Sequence, residues 1–131
     1  MINIQNLVFV SMHLPHEETR MGGSFYCNRL CAITLYNTLE RCGVNPREQI
    51  YISLFDNTQM DKLAVLDTRL SFLKEIREEG FIIIALGRTV DTYLNNAHII
   101  CNYLPYSPTS NDTREVEDYV LLVNTLLMDL K

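Results

Sequence analysis

Phe81-Ile82-Ile83-Ile84-Ala85-Leu86-Gly87-Arg88 is the stretch on which the fold turns. A continuous apolar run of strand length, without alternation, belongs to a strand covered on both faces, as in a parallel sheet. Gly87 follows at once, where a sharp strand-to-helix turn is easiest without a Cβ, and a short helix is predicted over Thr89 to Asn95. Upstream, Asn6-Leu7-Val8-Phe9-Val10-Ser11 reads the same way, and Gln49 to Phe55 supplies another strand. Between them the pattern is helical from Phe25 to Cys42, with Cys27, Cys31, Leu35, Leu39 and Cys42 on one stripe. Gly43 is placed to end that helix, and Asn45-Pro46 opens the next connection.

Asp56-Asn57-Thr58 reads as a loop or cap before a long helix from about Met60 to Glu79. Its stripe is Leu63, Leu66, Leu70, Leu73 and Ile76, and Gly80 sits at its end. His98 to Tyr103 is the fourth strand candidate, followed by the loop Leu104 to Asp112. Arg114 to Leu130 forms a final helix, apolar on more than one face. It is expected either to be buried on two sides or to pair with another subunit, a homodimer through residues 114–130. Strand and helix alternate throughout, with short connections. The expected fold class is α/β: a three-layer α/β/α arrangement around a roughly four-stranded, mainly parallel sheet. With 131 residues the chain forms a single domain, 1–131. Ligands in such sheets bind outside the carboxyl ends of the strands, which singles out loops 12–25, 55–59, 87–89 and 104–113.

Composition narrows the function classes. The apolar fraction of 47% and charged fraction of 21% are those of a globular domain and exclude collagen-like or disordered chains. No apolar run reaches the ~20 residues a bilayer span needs, and the first residues lack the positive segment of a secretory signal, so the expected location is cytoplasmic, with no membrane partner. Eleven Lys and Arg against sixteen Asp and Glu give a net charge of −5. That balance lowers the expectation of a duplex-DNA binder, whose affinity comes largely from neutralised phosphates. The four cysteines, Cys27, Cys31, Cys42 and Cys101, contain no C-x-x-C pair. They are expected as buried free thiols, with no disulfide, metal or cofactor.

Three motifs, in order along the chain, resemble the uracil-DNA glycosylase superfamily. Leu86-Gly87-Arg88 after an Ile-rich strand, with Leu94 closing the next helix, resembles the family's strand, L-G-R turn and helix. Leu104-Pro105-Tyr106-Ser107-Pro108-Thr109-Ser110-Asn111 resembles the late loop L-P-H-P-S-x-x-N. Pro15, Glu17, Glu18 and Gly22-Gly23-Ser24-Phe25 resemble the first-strand loop, where a proline turn leads through acidic residues to G-x-P-F. Cys42-Gly43-Val44 before Ile50-Tyr51-Ile52 is also similar to the family's passage from first helix to second strand. The resemblance covers roughly residues 7–112. It departs from the family at the positions that carry the chemistry. His13 stands where the resemblance implies an acid or amide for the attacking water, and Tyr106 where it implies a histidine for the departing base anion. Leu54 takes the place of the base-reading Asn, with Asn57 three residues later, and the iron–sulfur cysteines of some branches have no counterpart.

The resemblance implies a role for each candidate, and each has a plainer alternative. Histidine is the side chain suited to proton transfer near neutral pH, so His13 would serve as general base, with Glu17 or Glu18 as its substitute; a loop histidine and a solvated acidic turn are the alternatives. Phe25 corresponds to the ring on which a base stacks, a sequence-tolerant interaction, or is a core phenylalanine. Asn57 offers a donor and an acceptor together for a base edge, or caps a turn. Gly87 makes the turn, and Arg88 meets a phosphate or lies on the surface. Tyr106, Ser107, Ser110 and Asn111 form a polar loop pinned by prolines, and Tyr106 would donate to a leaving base. The expected function is recognition, and even sequestration, of a nucleobase or nucleotide-derived ligand at the carboxyl ends of the strands. The alternatives are an active N-glycosidase using His13, Glu17 and Tyr106 on a flipped base in nucleic acid, and an interaction module that keeps only the fold.

Overall fold

The computed structural model describes residues 6–13, 30–55, 62–105 and 113–130. Four parallel strands lie side by side: β1 (Leu7–His13), β2 (Ile50–Phe55), β3 (Ile82–Leu86) and β4 (Asn102–Leu104), in the order β2-β1-β3-β4. Between and after them come α1 (Leu30–Arg41), a 3-10 turn (Pro46–Glu48), α2 (Lys62–Glu78), α3 (Arg88–Asn96) and α4 (Thr113–Asp129). This is the α/β class and the parallel sheet that the continuous apolar runs imply. No described helix is long and apolar enough to cross a membrane.

Because successive strand side chains point to opposite faces, β1 feeds two cores. Leu7 and Phe9, with Ile84, Leu86 and Leu104, pack under Leu35 and Leu39 of α1 and Tyr119, Val123 and Leu127 of α4. Val8 and Val10, with Ile52, Leu54, Ile83 and Ala85, pack under Leu66, Leu73 and Ile76 of α2 and Val90 and Leu94 of α3. Helices therefore cover both faces, in three layers. The entry to β1 is fixed by one side chain: the Leu7 N–H donates to Oε1 of buried Gln49 (3.0 Å), whose Nε2 donates to the Asn45 carbonyl (3.1 Å). Across the α1/α4 layer, Arg41 grips Glu117 bidentately at 2.8 and 3.1 Å, holding the Glu117 carboxyl below its ordinary range. The pair is exposed and contributes little to stability.

Two expectations need correction. The fourth strand is not His98 to Tyr103 but Asn102–Leu104. His98 adopts φ 60° and closes α3: its N–H donates to Asn95 O, and that of Ile99 to Leu94 O. This is the Schellman termination, completed by the apolar pair Ile99 and Leu94, both buried. Gly43 and Gly80 end α1 and α2 with the same bonds, so His98 occupies a position where L side chains are strained. His98→Gly is expected to raise the unfolding free energy by about 0.5–1 kcal/mol, read from the urea midpoint; a lowered midpoint would mean that the imidazole makes a compensating contact.

The second correction concerns α4. It buries one stripe, Tyr119, Val123 and Leu127, while Leu121, Leu122 and Met128 stay exposed. Burial on two sides is therefore not what its surplus of apolar residues reflects.

Candidate functional site

All four strands run the same way, so their carboxyl ends form one edge: His13, Phe55, Leu86 and Leu104. β1 sits between β2 and β3, and the chain leaves it toward β2 but later returns to its other side as β3. In an open α/β sheet such a reversal of strand order, here at the β1/β3 ends, is the usual place for a ligand.

Gly87 is the described residue closest to that role. It is buried, with φ 92° and ψ 158°, a conformation essentially reserved for glycine, and it directs the chain from β3 straight into α3. Its N–H donates to Leu104 O (2.9 Å), tying the β3 turn to the end of β4. Among the described residues no side chain caps α3. From the next position, Arg88 extends into solvent and lies over the Tyr103 ring, 5.9 Å from its centroid. This cation–π contact holds the guanidinium on the β4 side of the turn. With Thr89, Thr92, Tyr93 and Asn96 it borders a shallow hollow of about 470 Å³ along α3.

The late loop is anchored where it begins: Tyr119 of α4 donates its hydroxyl to Pro105 O (3.0 Å). His13 ends β1 in register with Phe55 at the end of β2, so its backbone stands at the carboxyl edge. Glu17, Phe25, Asn57, Tyr106, Ser107, Ser110 and Asn111 lie outside the described residues. The structure thus brings together Gly87, Arg88 and the base of the late loop.

The chain matches no protein-family model and no curated protein sequence. Its functional reading rests on the motifs and the geometry alone.

Some polar groups at this edge carry no conspicuous sequence signal. Ser11 and Ser53 are register partners on β1 and β2 and are 3% and 0% exposed. Among the described residues neither Oγ has a hydrogen-bond partner, and Thr38 Oγ1 on α1 is likewise buried and unpartnered. Tyr103 and Tyr119, which orient Arg88 and Pro105, were equally silent in the sequence, because their partners lie on other elements.

Cys42 and Cys101 are free and half-buried rather than fully buried. Burial, followed by the hydrogen bond from Sγ to Asp91 Oδ1 (3.5 Å), pushes the Cys101 thiol up to about 11. Burial also raises Cys42. A raised thiol pKa leaves little thiolate at pH 8, so iodoacetamide is expected to label Cys101 of the native protein slowly, the rate climbing until the pH nears 11. The same shift favours the folded state below the unfolded thiol's pKa and loses that contribution as pH rises through the folded value. Rapid native-state labelling at pH 8 would show that the thiol is neither shielded nor paired with Asp91.

Proposed function

We propose that the protein binds a nucleobase or nucleotide-derived ligand at the carboxyl edge of its sheet. The observation that carries this reading is the reversal of strand order beside the Gly87 turn, where an open α/β sheet offers a crevice. The motifs that resemble the uracil-DNA glycosylase superfamily fall on the loops leaving these same strand ends. In this reading Phe25 stacks on the base, Asn57 reads its edge, and Arg88 with residues 105–111 holds phosphate. Binding is favoured over base excision by the net charge of −5 and by His13, Leu54 and Tyr106 at the positions that depart from the family's chemistry.

The test is thermal stabilisation by deoxyuridine monophosphate, thymidine monophosphate, adenosine monophosphate and free uracil. A ligand at ~100 times its dissociation constant adds about 2.7 kcal/mol. Arg88→Ala is expected to weaken the monophosphates about ten-fold, through loss of a charge-assisted contact, and to leave uracil unchanged. No stabilisation by any of the four would overturn the reading. Release of uracil from a labelled single-stranded oligonucleotide would replace it with a catalytic one.

A further inference from the structure

Two of the three unpartnered hydroxyls, those of Ser11 and Ser53, share one layer. Side chains alternate along β1, so Ser11 faces the same way as Leu7 and Phe9, toward α1. Tyr51, two residues before Ser53 on β2, packs against that same cluster. Below the serines the Phe9 and Tyr51 rings stack at 5.5 Å and 16°, with Tyr36 of α1 against Tyr51 at 6.0 Å. Above them comes the last register pair, His13 and Phe55, about 7 Å further along the strands. Thr38, the third unpartnered hydroxyl, is on α1 one turn beyond Leu35 and is 1% exposed. β2 is held in place beside the pair, because the Arg69 guanidinium donates to the Ser53 carbonyl (2.9 Å).

A buried hydroxyl without a partner destabilises a fold, and most are paired with protein, water or ligand. Two of them on neighbouring strands, one residue pair below the sheet's carboxyl edge, call for a partner arriving from that edge. We propose that Ser11 and Ser53 form a paired hydroxyl floor that hydrogen-bonds the polar edge of a bound base. This rests on the nucleotide reading above and specifies which part of the ligand goes deepest. Each hydroxyl both donates and accepts, so the pair matches a neutral edge that alternates carbonyl and N–H, as pyrimidine and purine rings do. A phosphate is better served by a cation and stays outside, near Arg88. Both hydroxyls are buried, so a base reaches them only in an open form, and the apparent affinity is lowered by the rarity of that form.

The experiment is calorimetric titration of wild type, Ser11→Ala, Ser53→Ala and the double variant with uracil and with deoxyuridine monophosphate, beside their thermal melts without ligand. The double variant is expected to bind both ligands about 10- to 100-fold more weakly. Its unliganded melting temperature is expected to be unchanged or higher, since an unpartnered polar group has been removed. Arg88→Ala, by contrast, weakens only the monophosphate. If wild type binds and the double variant binds equally well, the serine floor is overturned while the nucleotide reading stands. If the double variant loses several degrees without ligand, the hydroxyls are bonded within the protein and the floor is again overturned. If wild type binds neither ligand, the serine floor is overturned, and the nucleotide reading is decided separately by the melts with all four ligands.

Discussion

Phe9→Ala is expected to remove about 3–5 kcal/mol of unfolding free energy, a large part of the 5–15 kcal/mol that typically holds a domain together. The ring is 1% exposed and sits on an interior strand. Its register partners are Tyr51 on one side and Ile84 on the other. Both neighbours are held by strand hydrogen bonds, so neither moves in to fill the space a lost ring leaves. Above it, Leu35 and Leu39 of α1 lose their contact with the sheet, and the stack with Tyr51 disappears. Phe9→Leu keeps most of the volume and is expected to cost less than about 1.5 kcal/mol. Urea unfolding followed by circular dichroism checks both, with the slope unchanged. A loss below about 1.5 kcal/mol for Phe9→Ala would mean that α1 settles onto the sheet after all. The same ring lies one step below Ser11 on the same face of β1, so its removal reaches the carboxyl edge of the sheet as well.

The sheet was legible because its evidence is local. Ile82, Ile83 and Ile84 allow no helical amphipathicity at that length, and residues 7–10 repeat the pattern, so two buried strands follow from composition alone. Gly43 and Gly80 announce the ends of two helices because their backbone conformation needs glycine. The same rule fails at His98, which takes that conformation with a side chain in place. The apolar residues after it are then shared out: Ile99 closes the helix cap, Ile100 points to solvent, and only Asn102–Leu104 pairs with β3. Nothing local distinguishes that division from one continuous strand.

Legibility falls further at the site, because a site is made of non-local neighbours. Ser11 and Ser53 read as ordinary strand residues until the register sets them side by side. Arg88 gives no hint in the sequence that Tyr103 will carry its guanidinium. The exposed stripe of Leu121, Leu122 and Met128 resembles the buried stripe of Tyr119, Val123 and Leu127 in composition. Only packing against Leu39 and Leu104 decides which of the two faces inward.

Gly87→Ala is the substitution expected to couple stability to binding. At φ 92° and ψ 158° an L residue carries about 1–3 kcal/mol of backbone strain, and here the position is also buried. Relaxing that strain requires φ to turn negative, which would swing Arg88 and the first turn of α3 away from the end of β3. The bond from the Gly87 N–H to Leu104 O would go with it, and with it the tie between the two strand ends beside Pro105. Gly80 supplies the control. It also has positive φ, at 101°, but an added Cβ there meets nothing within 4 Å and the residue lies at the far end of β3. Gly80→Ala therefore reports backbone strain alone and is expected to leave binding of deoxyuridine monophosphate intact. Gly87→Ala is expected to lower the urea midpoint at least as far and, in addition, to weaken that ligand about ten-fold or more, because Arg88 no longer stands where the turn put it. If the two variants lose equal stability and both bind normally, the turn is structural only, and the β1/β3 ends are not where the ligand sits.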